Sequence, residues 1–231
     1  MKILGIDTTT KFLILGLYDN TKIYEYNLEV GRRLSSLLAL TIKRVLEALG
    51  WYIDDIDYFA CGVGPGSFTG VRVGLATIKG LAFSLNKPVL GMSTLDILAR
   101  NIKTTDGYVV PIIDAKRNLI YCSFYKIKKG MPRRITPYML LTPDEFLGKL
   151  KNIKQTKILG DAVTLYKEKI LRNIKGATIL DKDYWYPKAG NIIELAQEKI
   201  KDKKFDNPFK VKPVYLYPKE CQIRKTQKGK I

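Results

Sequence analysis

One short pattern occurs twice in this chain and constrains its fold more than any other feature. It consists of an apolar stretch ending in aspartate, a polar turn and a second apolar stretch, at 2–6, Asp7 and 12–18, and again at 108–113, Asp114 and 119–125. Each copy predicts a β-hairpin with a carboxylate at its tip. The aspartates lie 107 positions apart, which indicates two similar units. Hairpins joined to helices favour an α/β fold of two lobes, each a mixed sheet covered by helices.

Helical periodicity and turn residues divide the remainder of the chain. Apolar spacing predicts helices over 34–49, 69–85 and 94–102, with Gly50 ending the first and Pro88 following the second. Further predicted helices begin at 143 and cover 191–201. The polar stretch 104–107 separates a predicted N-terminal lobe, residues 1–104, from a smaller basic C-terminal lobe, residues 105–231. Residues 219–231 are basic and predict a frayed tail.

The charge of the chain is strongly positive and unevenly distributed. The chain has 40 Lys/Arg and 22 Asp/Glu, and residues 106–231 contain 28 of the basic and 13 of the acidic residues. A basic half indicates a polyanionic partner such as tRNA, bound through phosphate contacts. The alternative is a solvated lysine-rich surface, which the lack of an obvious aromatic stacking pattern among the lysines favours.

The chain contains no histidine, which excludes several classes of active site. Ser-His-Asp triads, Cys-His pairs and HExxH zinc sites all require imidazole. The three cysteines, Cys61, Cys122 and Cys221, are far apart and match neither a disulfide framework nor a zinc motif, so we expect reduced thiols and no metal site. No apolar run has the length that spans a bilayer, and no signal peptide is expected.

Residues 64–80, GPGSFTGVRVGLATIKG, form a glycine-rich turn followed by a helix. Two interpretations remain open. Backbone amides at a helix N-terminus can bind an anion, with Ser67 and Thr69 assisting. Glycines can equally serve a tight structural turn, because they allow close approach of the backbone. The stretch lacks the GxxxxGK[ST] spacing of a Walker A loop.

The same stretch resembles the GPGSFTGxRxGxxxAKGLA signature of the TsaB (YeaZ) family. The resemblance continues in the opening strand at 3–9, in GMSTL at 91–95 and in IDAKR at 113–117, and becomes weaker towards the C-terminus. The family commonly begins its first helix with H-S-x-x-L-L-P. Here Leu34 and Leu40 replace that histidine and proline, which suits packing more than chemistry.

The resemblance implies a fold, a function and a set of partners. The fold is the two-lobed actin-like ATPase fold, related to ribonuclease H, with duplicated hairpin and helix lobes. The function is that of a non-catalytic cytoplasmic subunit for forming threonylcarbamoyladenosine beside the tRNA anticodon. TsaD is the catalytic paralogue with which it pairs, TsaE is an ATPase that joins them, and tRNA is bound through the complex. Alone, the subunit could form a homodimer.

The resemblance also places a degenerate nucleotide site on Asp7, Thr8, Thr9 and Asp114. In active members of the fold, carboxylates at these tips hold Mg²⁺ and backbone amides hold phosphates. Threonines and Lys116 stand here where glycine is expected. We therefore expect no tightly bound cofactor, with ATP and Mg²⁺ restricted to a partner interface. The alternatives are purely structural hairpins, an independent ATP-dependent phosphotransferase, and a plain RNA-binding module.

Two predicted helices have apolar residues outside their core faces. In the helix over 34–49, Leu40 projects among charged residues, with Leu37 and Arg44 beside it. In the helix over 69–85, the corresponding residues are Val73, Ala76, Gly80 and Phe83. We expect these seven residues to form a partner-binding patch, since small side chains allow helices to approach closely. The alternative is that other parts of this chain cover them.

Overall fold

The computed structural model describes residues 1–103 and 106–217, so the predicted basic tail over 219–231 lies outside the described residues. The strands are β1 Ile3–Asp7, β2 Phe12–Tyr18, β3 Ile23–Glu29, β4 Tyr58–Gly62, β5 Val89–Met92, β6 Gly107–Lys116, β7 Leu119–Cys122, β8 Tyr125–Lys128, β9 Met131–Arg134, β10 Met139–Leu141, β11 Thr156–Leu159 and β12 Ala177–Ile179. The helices are α1 Leu34–Ala48, α2 Phe68–Ser84, α3 Thr94–Ala99, α4 Pro143–Leu150, α5 Val163–Asn173 and α6 Ala189–Lys201. Across the described ranges, no helix combines the length and the apolar character needed to cross a membrane.

Two mixed sheets form the centres of the two lobes. The first has the order β3-β2-β1-β4-β5, and the second has β10-β7-β6-β11-β12, with β8 paired to β6 and β9 paired to β8. In each sheet a hairpin is antiparallel, whereas the following strands, β4 and β11, pair in parallel with the first strand of that hairpin. The predicted duplication and the two-lobed α/β architecture are therefore both confirmed.

The predicted helices are present, with differences at their ends. α1 and α2 begin and end within one residue of the predicted positions, and α6 begins two residues early. The prediction that the third helix continues to 102 was wrong, because α3 ends at Ala99. Asn101 instead donates side-chain hydrogen bonds to the carbonyls of Tyr184 and Tyr186, which anchors this turn to the second lobe.

The division of the chain at 104/105 follows the two sheets but not the helices. α6 comes late in the sequence and packs on β1 and β2 of the first sheet, with Ile192 and Ile193 fully buried there. Gly5 provides the space, since a Cβ at this position would lie 2.8 Å from a methyl group of Ile192. α3 contributes Leu95 and Leu98 to the core of the second lobe. Each lobe is thus completed by sequence from the other half of the chain.

Residues 205–217, here called the C-terminal strap, continue beyond α6 and contact both lobes. The strap begins at the edge strand β5, where the Asp206 amide donates to Val89 and the Asp206 carboxylate accepts from the Gly91 amide. It continues beside α2, where the Val214 amide donates to the Val63 carbonyl. It reaches the second lobe at Tyr217, whose hydroxyl donates to the Ala115 carbonyl at 2.8 Å. The strap therefore covers an exposed sheet edge and links the lobes.

The start of α2 packs so closely against the turn after β1 that backbone atoms of the two segments are in contact. Ser67 caps the helix by accepting from the Gly70 amide, and the Ser67 amide donates to the Thr9 carbonyl at 2.7 Å. The Thr8 hydroxyl donates to the Gly70 carbonyl at 2.8 Å. A Cβ at Gly70 would lie 2.0 Å from the Thr8 carbonyl oxygen, and one at Gly74 would lie 2.1 Å from the Thr8 hydroxyl. Neither position tolerates a side chain without movement of the turn.

We predict that Gly70→Ala destabilises the isolated chain by about 1–3 kcal/mol, the range of overpacking in a dense core. Gly80→Ala on the same helix is the matched control, because no atom lies within 4 Å of a Cβ at Gly80. This control should stabilise the chain by about 0.5–1 kcal/mol through helix propensity. Urea unfolding of both variants measures the two effects. Equal effects of the same sign would show that the Thr8 contact does not restrict Gly70.

Candidate functional site

A cavity of about 720 Å³ lies between the two hairpin turns, at the junction of the lobes. The turn after β1, the start of α2, the turn after β6 and the C-terminal strap form its walls. Its lining includes Thr9, Thr10, Lys11, Gly66, Ser67, Phe68, Ile113, Asp114, Ala115, Lys116, Arg117, Tyr121, Asp161, Tyr186, Val214, Tyr215, Leu216 and Tyr217. This inter-lobe cleft brings Thr9 and Asp114 of the predicted nucleotide site together, whereas Asp7 and Thr8 do not line it.

Asp7 is fully buried behind the cleft, at the end of β1. One carboxylate oxygen accepts hydrogen bonds from the amide and hydroxyl of Thr9 at 2.9 and 2.8 Å. The other oxygen has no hydrogen-bond partner among the described residues and is directed at Gly62, where a Cβ would lie 2.0 Å from it. Burial raises the pKa of Asp7 from 3.8 to about 6, although the Thr9 hydrogen bonds oppose this shift. Asp7 therefore orders the turn that forms a wall of the cleft.

The glycine-rich segment 64–80 serves packing more than anion binding. Gly70 and Gly74 allow α2 to contact Thr8, and the Ser67 amide is used by the Thr9 carbonyl. The Ser67 hydroxyl is used by the Gly70 amide. Of the two interpretations that the sequence left open, these contacts favour the tight structural turn.

The second hairpin places Asp114 beside cationic groups. The Asp114 carboxylate accepts from the Lys116 amide at 2.8 Å and pairs with the Lys116 ammonium. Lys116, Arg117 and Asn118 all have positive φ, of 63°, 53° and 56°. Left-handed backbone costs about 1 kcal/mol or more for each non-glycine residue, so this turn is held by its surroundings. A turn of this kind presents the side chains of Lys116 and Arg117 at the cleft.

Sequence reasoning missed several residues of the cleft. Asp161, which follows β11, accepts from the Asp114 amide at 2.9 Å, and burial raises its pKa. A signal for it existed, because an aspartate that ends a strand parallel to β6 lies at the same sheet edge as Asp114. Tyr215 and Tyr217 of the strap gave no such signal, since only the tertiary path of the strap brings them here.

The seven residues of the predicted partner patch lie on the outer faces of α1 and α2. Leu37, Leu40 and Arg44 line a groove of about 370 Å³ between α1 and the β2–β3 hairpin. Leu40 on α1 is 41% exposed, and Ala76 and Gly80 on α2 are also exposed.

Three members of the patch contact other parts of the chain. Leu37 and Val73 are half-buried against the core of the first lobe. Phe83 is 62% exposed and its ring meets the ring of Phe209 edge-to-face at 5.0 Å. The alternative that this chain covers the patch therefore applies in part, at these three positions.

A second groove, which sequence reasoning missed, lies between α1 and α2. It measures about 580 Å³, and its lining is largely apolar, including Ile42, Leu46, Trp51, Tyr52 and Leu81. Tyr52 is 78% exposed at its edge. The outer surface of the two helices is thus more extensive than the seven predicted residues.

Comparison with known proteins identifies the family. A family model described as "TsaD: tRNA N6-adenosine threonylcarbamoyltransferase" matches residues 28–215. The tRNA threonylcarbamoyladenosine biosynthesis protein TsaB of Bacillus subtilis is 32% identical over 172 residues, which cover 74% of this chain and 75% of that protein. The chain belongs to the TsaB family.

Other members and a solved structure agree with this membership. TsaB of Haemophilus influenzae is 28% identical, and the match covers 94% of this chain and 93% of that protein. The structure of YeaZ from Pseudomonas aeruginosa matches with a TM-score of 0.79 at 24% identity, covering 93% of this chain and 99% of that one. This TsaB family member therefore has the same two-lobed α/β fold as YeaZ.

We predict that Asp7 makes the stability of the chain pH-dependent. In the unfolded chain its carboxyl ionises near 3.8 and in the folded chain near 6, so folding favours the neutral form. This contribution is fully present below pH 3.8 and is lost as the pH rises through 6, by about 3 kcal/mol. The free energy of unfolding of Asp7→Asn minus that of the parent chain should rise by most of this amount, about 2.4 kcal/mol, between pH 4 and pH 8. A difference that stays constant with pH would contradict the burial argument.

Proposed function

We propose that this chain is a non-catalytic subunit in the formation of threonylcarbamoyladenosine on tRNA, and that it acts by binding a TsaD partner. Membership of the TsaB family carries this proposal, because the relatives are named as tRNA threonylcarbamoyladenosine biosynthesis proteins. The match of residues 28–215 to a TsaD model supports a paralogous relation to the transferase. In this role the chain works in the cytoplasm and contacts tRNA as part of the complex.

The geometry of the cleft supports a role without independent catalysis. Asp7 is buried behind the cleft wall, and Asp114 is paired with Lys116. A Mg²⁺–nucleotide complex in this fold needs carboxylates directed at the ion and backbone amides directed at phosphates. We therefore assign no tightly bound cofactor to the chain alone, and we place any ATP and Mg²⁺ of the complex at the partner interface.

The outer faces of α1 and α2 are the proposed partner surface. Leu40 is exposed between charged neighbours, and Ala76 and Gly80 leave open space above α2 for an approaching helix. An exposed apolar surface beside small residues suits helix-to-helix packing. We assign this surface to TsaD in the complex and to a second copy of the chain when TsaD is absent. TsaE joins the assembly as the ATPase.

The test of this function is reconstitution with single omissions. The chain is mixed with TsaD and TsaE from the same organism, and threonylcarbamoyl transfer to tRNA is measured with each protein left out in turn. Light scattering after size exclusion measures the complex. We expect a stable complex with TsaD and loss of transfer when this chain is omitted. Full transfer without the chain, or steady ATP turnover by the chain alone, would overturn the proposal and favour a phosphotransferase.

We predict that Leu40→Glu and Ala76→Arg each weaken association with TsaD at least tenfold, because each places a charge at the apolar contact. Both side chains are exposed, so the thermal unfolding temperature of the isolated chain should stay within a few degrees.

Leu165→Glu and Gly148→Arg are the matched controls, since both positions are exposed on helices of the second lobe. The controls should bind TsaD as the parent chain does. If Leu40→Glu and Ala76→Arg also form the complex at parental affinity, the partner surface lies elsewhere.

A further inference from the structure

The inter-lobe cleft has aromatic walls that the family relationship does not explain. Five aromatic side chains line it, from four separate parts of the chain: Phe68, Tyr121, Tyr186, Tyr215 and Tyr217. Phe68 is 49% exposed and Tyr215 is 39% exposed, and their ring centroids lie 5.7 Å apart. Tyr217 meets Tyr121 edge-to-face at 6.1 Å. Half-exposed rings around a cavity offer faces on which a planar ligand can stack.

Two arginines lie against these rings. The Arg72 guanidinium is 3.7 Å from the Phe68 ring centroid, and its Nε donates to the Tyr215 hydroxyl at 2.8 Å. The Arg117 guanidinium is 6.0 Å from the Tyr217 ring. The ion pairs formed by the described residues include neither arginine, whereas Lys11 pairs with Glu29 and Lys116 with Asp114. Within residues 1–103 and 106–217, no ion pair with a carboxylate therefore neutralises these two positive charges.

This combination suits one class of ligand better than a nucleoside triphosphate. A cavity of about 720 Å³ is large enough for a nucleotide. The groups that would hold a Mg²⁺–triphosphate are not directed at the cleft, because Asp7 is buried behind it and the Ser67 amide donates to the Thr9 carbonyl. Aromatic faces with arginine beside them bind single-stranded nucleic acid, since each base can stack and each phosphate can meet a cation.

The sequence that follows the last strap residue, Tyr217, is also positively charged, as the arginines of the cleft rim are. Tyr217 is the last described residue and lies in the cleft wall, and residues 218–231 follow it directly. Those fourteen residues contain five Lys/Arg and one Glu. Cations tethered next to a cleft raise its affinity for a polyanion, because they release counterions from the bound strand.

We propose that the inter-lobe cleft binds an unpaired RNA nucleotide, with the base stacked on Phe68 and Tyr215 and the flanking phosphates contacted by Arg72 and Arg117. Only the identity of the RNA, an unpaired loop of tRNA, rests on the proposed function. The binding itself is a property of this chain and is measurable without TsaD.

The test measures fluorescence anisotropy of the full-length chain with two labelled RNAs at about 50 mM salt. One RNA is a hairpin with a seven-nucleotide unpaired loop, and the other is a blunt duplex with the same number of phosphates. We expect the hairpin to bind at least tenfold more tightly, because only its loop offers bases for stacking. Unlabelled ATP is added at millimolar concentration as a competitor, and it should not displace the hairpin.

Variants locate the site. Phe68→Leu and Tyr215→Leu remove one ring each and should weaken hairpin binding by about 5- to 100-fold, the range for a lost base-stacking contact. Tyr215→Phe keeps the ring and should retain most of the affinity. Arg117→Gln should lower the slope of log affinity against log salt by about one unit.

Matched controls use the same changes away from the cleft. Tyr52→Leu removes an aromatic ring that is 78% exposed beyond α1, and Lys167→Gln removes an exposed cation on α5. Circular dichroism confirms that each variant is folded before its binding is compared.

The proposal is overturned if hairpin and duplex bind equally, if neither binds, or if the cleft variants bind as their controls do. Displacement of the hairpin by ATP would also overturn it, because the cleft would then take a free nucleotide. Failure here leaves complex formation with TsaD intact, and light scattering of the same cleft variants with TsaD distinguishes that failure from failure of the proposed function.

Discussion

The contact between the turn at Thr8 and the first turns of α2 is the constraint on which the rest of the structure depends. It requires glycine at 70 and 74, because any Cβ there would meet Thr8 at about 2 Å. It uses the Ser67 amide and the Thr8 hydroxyl, which joins a hairpin turn to a helix cap through backbone groups. Asp7 orders the same turn from the buried side through Thr9. The turn and the helix cannot move relative to each other without the loss of several hydrogen bonds at once.

This packing decides what the cleft can bind. The turns of the two hairpins border the inter-lobe cleft, and both turns are engaged by the protein itself. The first tip is held against α2, and the second places Lys116 and Arg117 in left-handed backbone beside Asp114. The remaining cleft is bounded by aromatic rings, two of which come from the strap, and by Arg117. The polar groups of the two turns are thereby used mainly for contacts within the protein.

The same helix connects the cleft to the proposed partner surface. The inner face of α2 contacts Thr8, one flank contacts the strap through Arg72, Lys79 and Phe83, and the outer face presents Ala76 and Gly80. A partner that binds the outer face therefore contacts an element that also forms the cleft wall. The strap adds a further link, because it packs on the core of the first lobe at Val214 and reaches Ala115 of the second lobe through Tyr217.

The sequence by itself determined the duplicated hairpins, the helices and the family, because strand alternation, helical periodicity and the segment 64–80 are local patterns. It also located the outward apolar residues of α1 and α2, since a face opposite the core face follows from helical spacing. The tertiary structure alone decided that α6 completes the first lobe and that the strap reaches the cleft. It alone decided that Asp7 lies behind the cleft wall while Tyr215 and Tyr217 lie in that wall. The physical reason is that these outcomes depend on contacts between residues more than 100 positions apart, such as Arg72 with Tyr215, and no local pattern encodes which distant surface a segment will cover.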